Sequence, residues 1–297
     1  MKFGGPFHAL SLDLWFTTIY HGPEAMERTR ANRLRALSKI LRAADGHSLT
    51  AMEIETAVEA VHSRLDAQGK GPLTVNPEAL VRAYAERLGA EVVLSAGTVG
   101  RGYVAEDSDE NAPTANPEAV ELIRVLTVRK FPVVAITNTT RDEAFWQGFL
   151  RTRLGVSFRH IITSCEVGRA KPDPEIFREA ARRLDLPPHE LLHVGDRWEL
   201  DVEGAQRAGC GAVLYRGLWP SYPKGMYPET DPRLFADSDV LCIDRLAELL
   251  SGGLLDAGTG ERPTRPPERP RSGARATGAG TARTHRTGDS SQGSMHD

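Results

Sequence analysis

A chain of 297 residues, 40% hydrophobic and 26% charged, has enough apolar material for one large domain, or for a core with a smaller insertion. The formal net charge of -3 gives no general pull toward nucleic acid or an anionic membrane, so neither is expected as a partner. Three cysteines, Cys165, Cys210 and Cys242, are widely spaced with no CxxC pair, which argues against a disulfide framework or structural zinc and for reduced thiols.

Taken in chain order, the N-terminal apolar stretch is broken by Gly4, Gly5, Pro6 and Asp13, unlike a signal peptide. No stretch approaches the roughly 20 apolar residues of a membrane span, so a cytoplasmic location is expected. His8–Leu12 reads as the first strand. From about Tyr20 to Asn111 the periodicity is mainly helical, with stripes at Leu34, Leu37 and Leu41, at Ile54, Val58, Val61 and Leu65, and at Leu80, Tyr84 and Leu88. This predicts an all-helical domain over residues 20–110, inserted into a core made of residues 1–19 and 111–251.

Further short apolar runs follow at Pro132–Thr137, His160–Thr163, Leu191–Val194 and Ala212–Tyr215, the length and composition of buried parallel strands. Between them, Ile176, Phe177, Ala180, Ala181 and Leu184 form one helical stripe. Asn76-Pro77, Asn116-Pro117 and Asp173-Pro174 each pair a capping side chain with proline at the first helical position. Strand–helix alternation predicts an α/β fold, a doubly wound, Rossmann-like parallel sheet. Residues 252–297 turn to Gly, Pro, Arg, Thr and Ser and read as a disordered tail.

Ligands of such sheets bind at the carboxyl ends of the strands. The residues there are Asp13, Thr137 and Asn138, Lys171 in a following loop, and Asp196 with Asp201. A carboxylate can attack phosphorus, and clustered carboxylates call for a hard cation such as Mg²⁺. A lysine neutralises nucleophile and phosphate, and a threonine hydroxyl binds a phosphate oxygen.

Order and spacing resemble the four motifs of the haloacid dehalogenase (HAD) superfamily. Ser11-Leu12-Asp13-Leu14-Trp15-Phe16-Thr17 is similar to its first motif, Ile136-Thr137-Asn138 to the second, Lys171-Pro172-Asp173-Pro174 to the third, and Gly195-Asp196 with Asp201 to the fourth. The resemblance covers about residues 8 to 250. It implies a Mg²⁺-dependent hydrolase of a small phosphorylated molecule, with Asp13 as nucleophile and metal ligand. Thr137 and Asn138 would bind the phosphoryl group, and Lys171 would hold it and the nucleophile. Asp196, Asp201 and the backbone carbonyl of Trp15 would complete the metal set. The helical insertion resembles the family's C1-type cap.

The first motif departs from the pattern. The family's phosphatases carry a general acid two residues after the nucleophile, and here that position is Trp15; Phe16 replaces the usual glycine and Thr18 the usual leucine. Three readings follow: a phosphatase whose leaving group needs no proton or that borrows an acid such as His21, a 2-haloacid dehalogenase-like hydrolase, or a catalytically impaired phosphate-ligand binder or regulator. Dehalogenases also carry an aromatic residue here but lack the full acidic pair of the fourth motif, so Asp196 and Asp201 favour the phosphatase. His21 is more simply a surface histidine, and His193 a satisfied core histidine. Arg28, Arg30 and Arg33 read as a solvated helix face, and Gly100-Arg101-Gly102 carries little weight. Trp198 walls the site or covers the sheet edge, and Trp219–Tyr227 is a surface loop.

Overall fold

The computed structural model describes residues 7–68, 71–93, 112–221, 240–251 and 254–255. Gly100-Arg101-Gly102, Tyr222, Tyr227 and the sequence after Leu255 lie outside the described residues, as does the Arg30 side chain.

Six parallel strands form one sheet: β1 (Ala9–Leu12), β6 (Val133–Thr137), β7 (Ile161–Thr163), β8 (Leu191–Gly195), β9 (Gly211–Tyr215) and β10 (Leu241–Ile243). Their order is β10-β9-β8-β1-β6-β7. Every strand pair is parallel, and β1 is central, with Leu10 opposite Val133 on one side and Leu192 on the other. β1, β6 and β8 are buried end to end, and β9 in all but its first residue, because helices cover both faces. On one face Leu10, Leu12, Val133, Ala135 and Val194 pack on Leu122, Leu126 and Trp146; on the other Ala9, Val134, Ile136 and Leu191 pack on Ile176, Phe177 and Ala180.

Helices begin where the sequence punctuates them. In the helix Pro117–Val128, Asn116 Oδ1 accepts from the Glu118 N–H; in Pro77–Leu88, Asn76 Oδ1 accepts from the Ala79 N–H; in Pro174–Arg183, Asp173 Oδ1 accepts from the Glu175 N–H. The helix Glu143–Leu154 is capped in the same way by Asp142.

The inserted region has its own hydrophobic cluster, including Leu37, Ile54, Val61, Leu80 and Tyr84, built by the helices Pro23–Ile40, Ala51–Ala67 and Pro77–Leu88. It is not purely helical. Leu41–Ala43 (β3) pairs antiparallel with Ala90–Val92 (β4), so Leu41 ends the first stripe as a strand residue. A second small ladder joins Ile19–Tyr20 (β2) to Thr114–Ala115 (β5) where the chain leaves and re-enters the core. At the C-terminal end, the Phe7 N–H donates to the Leu254 carbonyl, Phe7 bridges Leu255, and Leu255 packs against the core.

Among the described residues, no helix is long and apolar enough to cross a membrane.

Candidate active site

Because β1 is flanked by β6 and β8, the loops after these three strands open on one crevice, the place where such sheets bind ligands. Asp13 follows β1, Thr137 ends β6, and Asp196 follows β8. The turn after Asp13 is tightly tied. The Thr18 and Ile19 N–H groups donate to the Leu14 carbonyl, the Phe16 N–H to the Ile19 carbonyl, and the Thr18 hydroxyl to the Asp13 carbonyl. Asn116 holds it from outside, its amide donating to the Thr17 carbonyl at 2.8 Å while its oxygen caps the next helix. Phe16, standing where the family pattern has glycine, adopts φ 56°, a left-handed conformation.

Asp201 reaches the crevice from a π-helical turn, Trp198–Glu203, in which the Val202 N–H reaches back to the Arg197 carbonyl. Such turns insert an extra residue and recur at functional sites. Gly195 is required beneath it, since a Cβ there would lie 2.2 Å from Asp201 Cγ. The loop bearing Lys171 has a cis Lys171–Pro172 peptide.

Lys171 is the junction of the site. Its Nζ lies 2.8 Å from Asp13 Oδ1 and 2.6 Å from Asp201 Oδ1, and all three side chains are buried. Asp13 Oδ1 also accepts from the Leu14 N–H at 2.7 Å. Both bonds fall on Oδ1. Asp201 is the better-held carboxylate, taking further hydrogen bonds from His193 Nε2 at 3.0 Å and the Arg197 N–H at 3.0 Å.

The electrostatics follow from this asymmetry. Burial disfavours both carboxylates, and one ammonium serves the two. Lys171 and His193 hold Asp201 well below the usual carboxylate range. Asp13 carries the remaining penalty: burial, with repulsion from Asp201, pushes it up to about 7 against the pull of Lys171. The two carboxylates in turn hold the Lys171 ammonium above its ordinary value despite burial. Burial pushes the His193 imidazole down, leaving it neutral.

Asp13, Asp196 and Asp201 each offer a carboxylate oxygen within 4.8 Å of the others, all buried. Hard oxygen donors at this spacing suit a divalent cation of the Mg²⁺ type. The elevated Asp13 fits the same account, because three buried carboxylates carry more charge than Lys171 alone neutralises. Thr137 Oγ, fully buried at the end of β6, has no hydrogen-bond partner among the described residues, an unusual state for a buried hydroxyl.

The Asn138 side chain is directed at the Lys171 backbone: its Nδ2 donates to the Lys171 carbonyl at 2.9 Å and its Oδ1 accepts from the Lys171 N–H at 2.7 Å. One expectation changes. His21 is buried and not on the surface, its ring against Trp15 with centroids 5.0 Å apart. Trp15 in turn meets Trp146 edge-on at 5.8 Å, and the Arg141 guanidinium lies 4.3 Å from the Phe145 ring centre. Where a general acid would stand there is an aromatic cluster. Trp198 donates to Glu203 and packs against the sheet, while Trp219 donates to the Asp196 carbonyl at 3.1 Å and so borders the site. Arg28 is exposed and pairs with Glu24 on its own helix.

Asn116, Trp146 and Ser11 were not legible as site residues. Ser11 left one signal, a polar side chain inside an otherwise apolar strand.

A parallel sheet with Asp13, Lys171 and an acidic pair at its carboxyl edge defines a hydrolase of the haloacid dehalogenase type. A family model described as haloacid dehalogenase-like hydrolase matches residues 18–209, and the chain belongs to that family. The chain is 35% identical over 134 residues to the glyceraldehyde 3-phosphate phosphatase of Methanopyrus kandleri, covering 45% of this chain and 54% of that protein. It is 36% identical over 125 residues to the 5-amino-6-(5-phospho-D-ribitylamino)uracil phosphatase YigB of Escherichia coli, covering 41% and 46%. The chain thus spans about half the length of the curated relatives it matches. Among solved structures, a HAD phosphatase from Thermococcus onnurineus superposes with TM-score 0.52 at 18% identity, over 82% of this chain and 98% of that one. A 2-haloacid dehalogenase from Pseudomonas syringae pv. Tomato gives 0.51 at 20% identity, over 82% and 96%; both likenesses show the shared fold.

Proposed function

We propose that the chain is a Mg²⁺-dependent phosphatase of a small organic phosphate, acting through an aspartyl-phosphate on Asp13. The observation that carries this reading is Lys171, buried and bridging the nucleophile to a second carboxylate of an acidic triad. The phosphatase names of relatives that align over about half their length support it.

Asp13 Oδ2 attacks phosphorus, the bond to the leaving oxygen breaks, and water then cleaves the acyl phosphate to return the carboxylate. Lys171 favours the ionised form of Asp13 against the opposing effect of burial, and offers its ammonium to the phosphoryl oxygens. Thr137 supplies its hydroxyl to one of those oxygens. Asn138 holds the Lys171 backbone, and so acts through the lysine. Asp13, Asp196, Asp201 and the Trp15 carbonyl would hold the cation, which screens phosphate charge and steadies the phosphoryl group in transfer. Trp15 offers no proton, so the preferred leaving group is one that departs without protonation; a missing general acid otherwise costs about 10²–10⁴ in rate. The inserted helical region, read as a C1-type cap, is the source of substrate selection.

The test is phosphate release from a panel of phosphate esters with and without Mg²⁺, in the native chain and in Asp13→Asn. Mg²⁺-dependent release that vanishes in the variant supports the reading. The aromatic Trp15 favours one alternative, a dehalogenase-like attack on carbon; metal-independent halide release from 2-haloacids would establish that instead.

A further inference from the structure

Ser11 and His193 are a polar pair in an apolar layer. They are register partners on β1 and β8, both fully buried, and their neighbours on that face include Ala9, Ile136, Leu191 and Leu214. A hydroxyl and an imidazole placed there are destabilising unless they are hydrogen-bonded, and packing alone would be met by apolar residues.

Their bonds lead to the reaction centre. Ser11 Oγ lies 2.9 Å from His193 Nδ1, and His193 Nε2 lies 3.0 Å from Asp201 Oδ1. The same Asp201 oxygen is 2.6 Å from Lys171 Nζ, which is 2.8 Å from Asp13 Oδ1. Phe177 meets the imidazole edge-on, with centroids 4.9 Å apart, and sets its plane.

The hydrogens are fixed by what each partner can accept. A carboxylate accepts only, so His193 Nε2 carries the hydrogen. The neutral ring then accepts at Nδ1, and the Ser11 hydroxyl supplies that bond at 2.9 Å, in preference to the Leu192 carbonyl at 3.4 Å. Asp201 is thereby held at Oδ1 by the imidazole and at Oδ2 by the Arg197 N–H. It cannot rotate, and the ammonium it binds is kept where it also reaches Asp13.

We propose that Ser11 and His193 are a positioning pair for the reaction: the Ser11 hydroxyl fixes the Nε2–H tautomer of His193, and His193 fixes Asp201 at the junction that aims Lys171 at Asp13. The kinetic side of this rests on the phosphatase reading above; the tautomer and cation binding do not.

The experiment uses the full chain and its Ser11→Ala, His193→Gln and His193→Leu variants. Three quantities are measured: the ¹⁵N imidazole resonances, with His193 assigned by its loss in His193→Gln; Mg²⁺ binding by calorimetry; and kcat and KM with para-nitrophenyl phosphate. The expected result is an Nε2–H tautomer in the native chain that Ser11→Ala converts to a mixture without unfolding. His193→Leu then weakens Mg²⁺ binding and lowers kcat by about 10–100-fold with KM unchanged, and His193→Gln, whose amide can still donate to Asp201, recovers most of both.

An Nδ1–H tautomer in the native chain, or one indifferent to Ser11→Ala, overturns the lock. Equal Mg²⁺ affinity and kcat in the Leu and Gln variants, with melting temperature alone affected, reduces His193 to a packing role. Native protein that binds Mg²⁺ with the expected variant pattern but turns nothing over retires the phosphatase reading and leaves the pair standing. Native protein that binds no Mg²⁺ overturns the phosphatase reading and the pair's part in cation binding, and the tautomer lock is then decided by the ¹⁵N resonances alone.

Discussion

Gly195 lies directly under Asp201: a methyl group on its Cα would sit 2.2 Å from the Asp201 carboxyl carbon. The last residue of β8 thus determines how low the π-helical turn can ride over the sheet. Gly195→Ala must lift that turn, parting Asp201 from Lys171 and His193. Loss of phosphate release and of Mg²⁺ binding is expected, with destabilisation of about 1–3 kcal/mol from overpacking. Calorimetry and a thermal melt check both.

Asp13→Asn should abolish turnover and yet leave the protein at least as stable as the native chain. Asp13 is a buried carboxylate pushed up to about 7, which shares one ammonium with Asp201. Neutralising it removes that repulsion and leaves Lys171 to Asp201. A marked drop in melting temperature would contradict this account of the charges.

The same shift gives a pH dependence. With a folded pKa of about 7, well above its ordinary value, Asp13 favours the metal-free folded state more as pH falls from 7 toward 4, and that contribution is lost as pH rises through 7. A cation needs the ionised form. Mg²⁺ affinity should therefore weaken about tenfold per pH unit below 7, with proton release on binding. Calorimetric titrations at pH 6 and 8, in buffers of different ionisation enthalpy, measure both. A flat affinity over that range would count against Asp13 as the proton-competing ligand.

Trp15→Asp places a proton donor where the family's phosphatases have one. Turnover of alkyl phosphates should rise relative to aryl phosphates, because only the former leave as poor anions. The variant also loses the edge contacts to His21 and Trp146, and a lower melting temperature is expected. An unchanged alkyl-to-aryl ratio in folded protein would indicate that another group already donates.

Phe16 sets two effects against each other. Its φ of 56° costs about 1–2 kcal/mol for a residue with a Cβ, which Phe16→Gly would relieve. Its side chain is buried, and removing a phenyl from a core costs about 3–5 kcal/mol. Burial wins, so Phe16→Gly is expected to lower stability by about 2 kcal/mol in chemical denaturation.

The strands that were legible are those with the densest apolar runs, because a parallel strand covered on both faces has no polar alternation to blur it. Leu241–Ile243, at three residues, is too short to stand out as an apolar run, and so are the two-residue strands Ile19–Tyr20 and Thr114–Ala115, whose existence depends on pairing across the chain. Helix starts were legible at Asn76, Asn116 and Asp173 because capping is local. The convergence of Asp13, Lys171 and Asp201 was legible from residue type and order. What Asn138, His21 and His193 do was not, since each depends on a partner brought from another strand or loop.

Ser164 follows β7 and stands between the core and the inserted region. Its hydroxyl oxygen accepts from the Thr139 N–H, and the same oxygen lies 2.5 Å from the Leu73 carbonyl of the insertion and 3.1 Å from the Thr139 carbonyl. One hydrogen cannot serve both carbonyls. The hydroxyl that holds the Leu73 carbonyl of the insertion thus has a second acceptor, the Thr139 carbonyl of the core, already within reach. Thr139 lies two residues beyond Thr137, so a single hydroxyl ties the inserted region to the loop that follows β6.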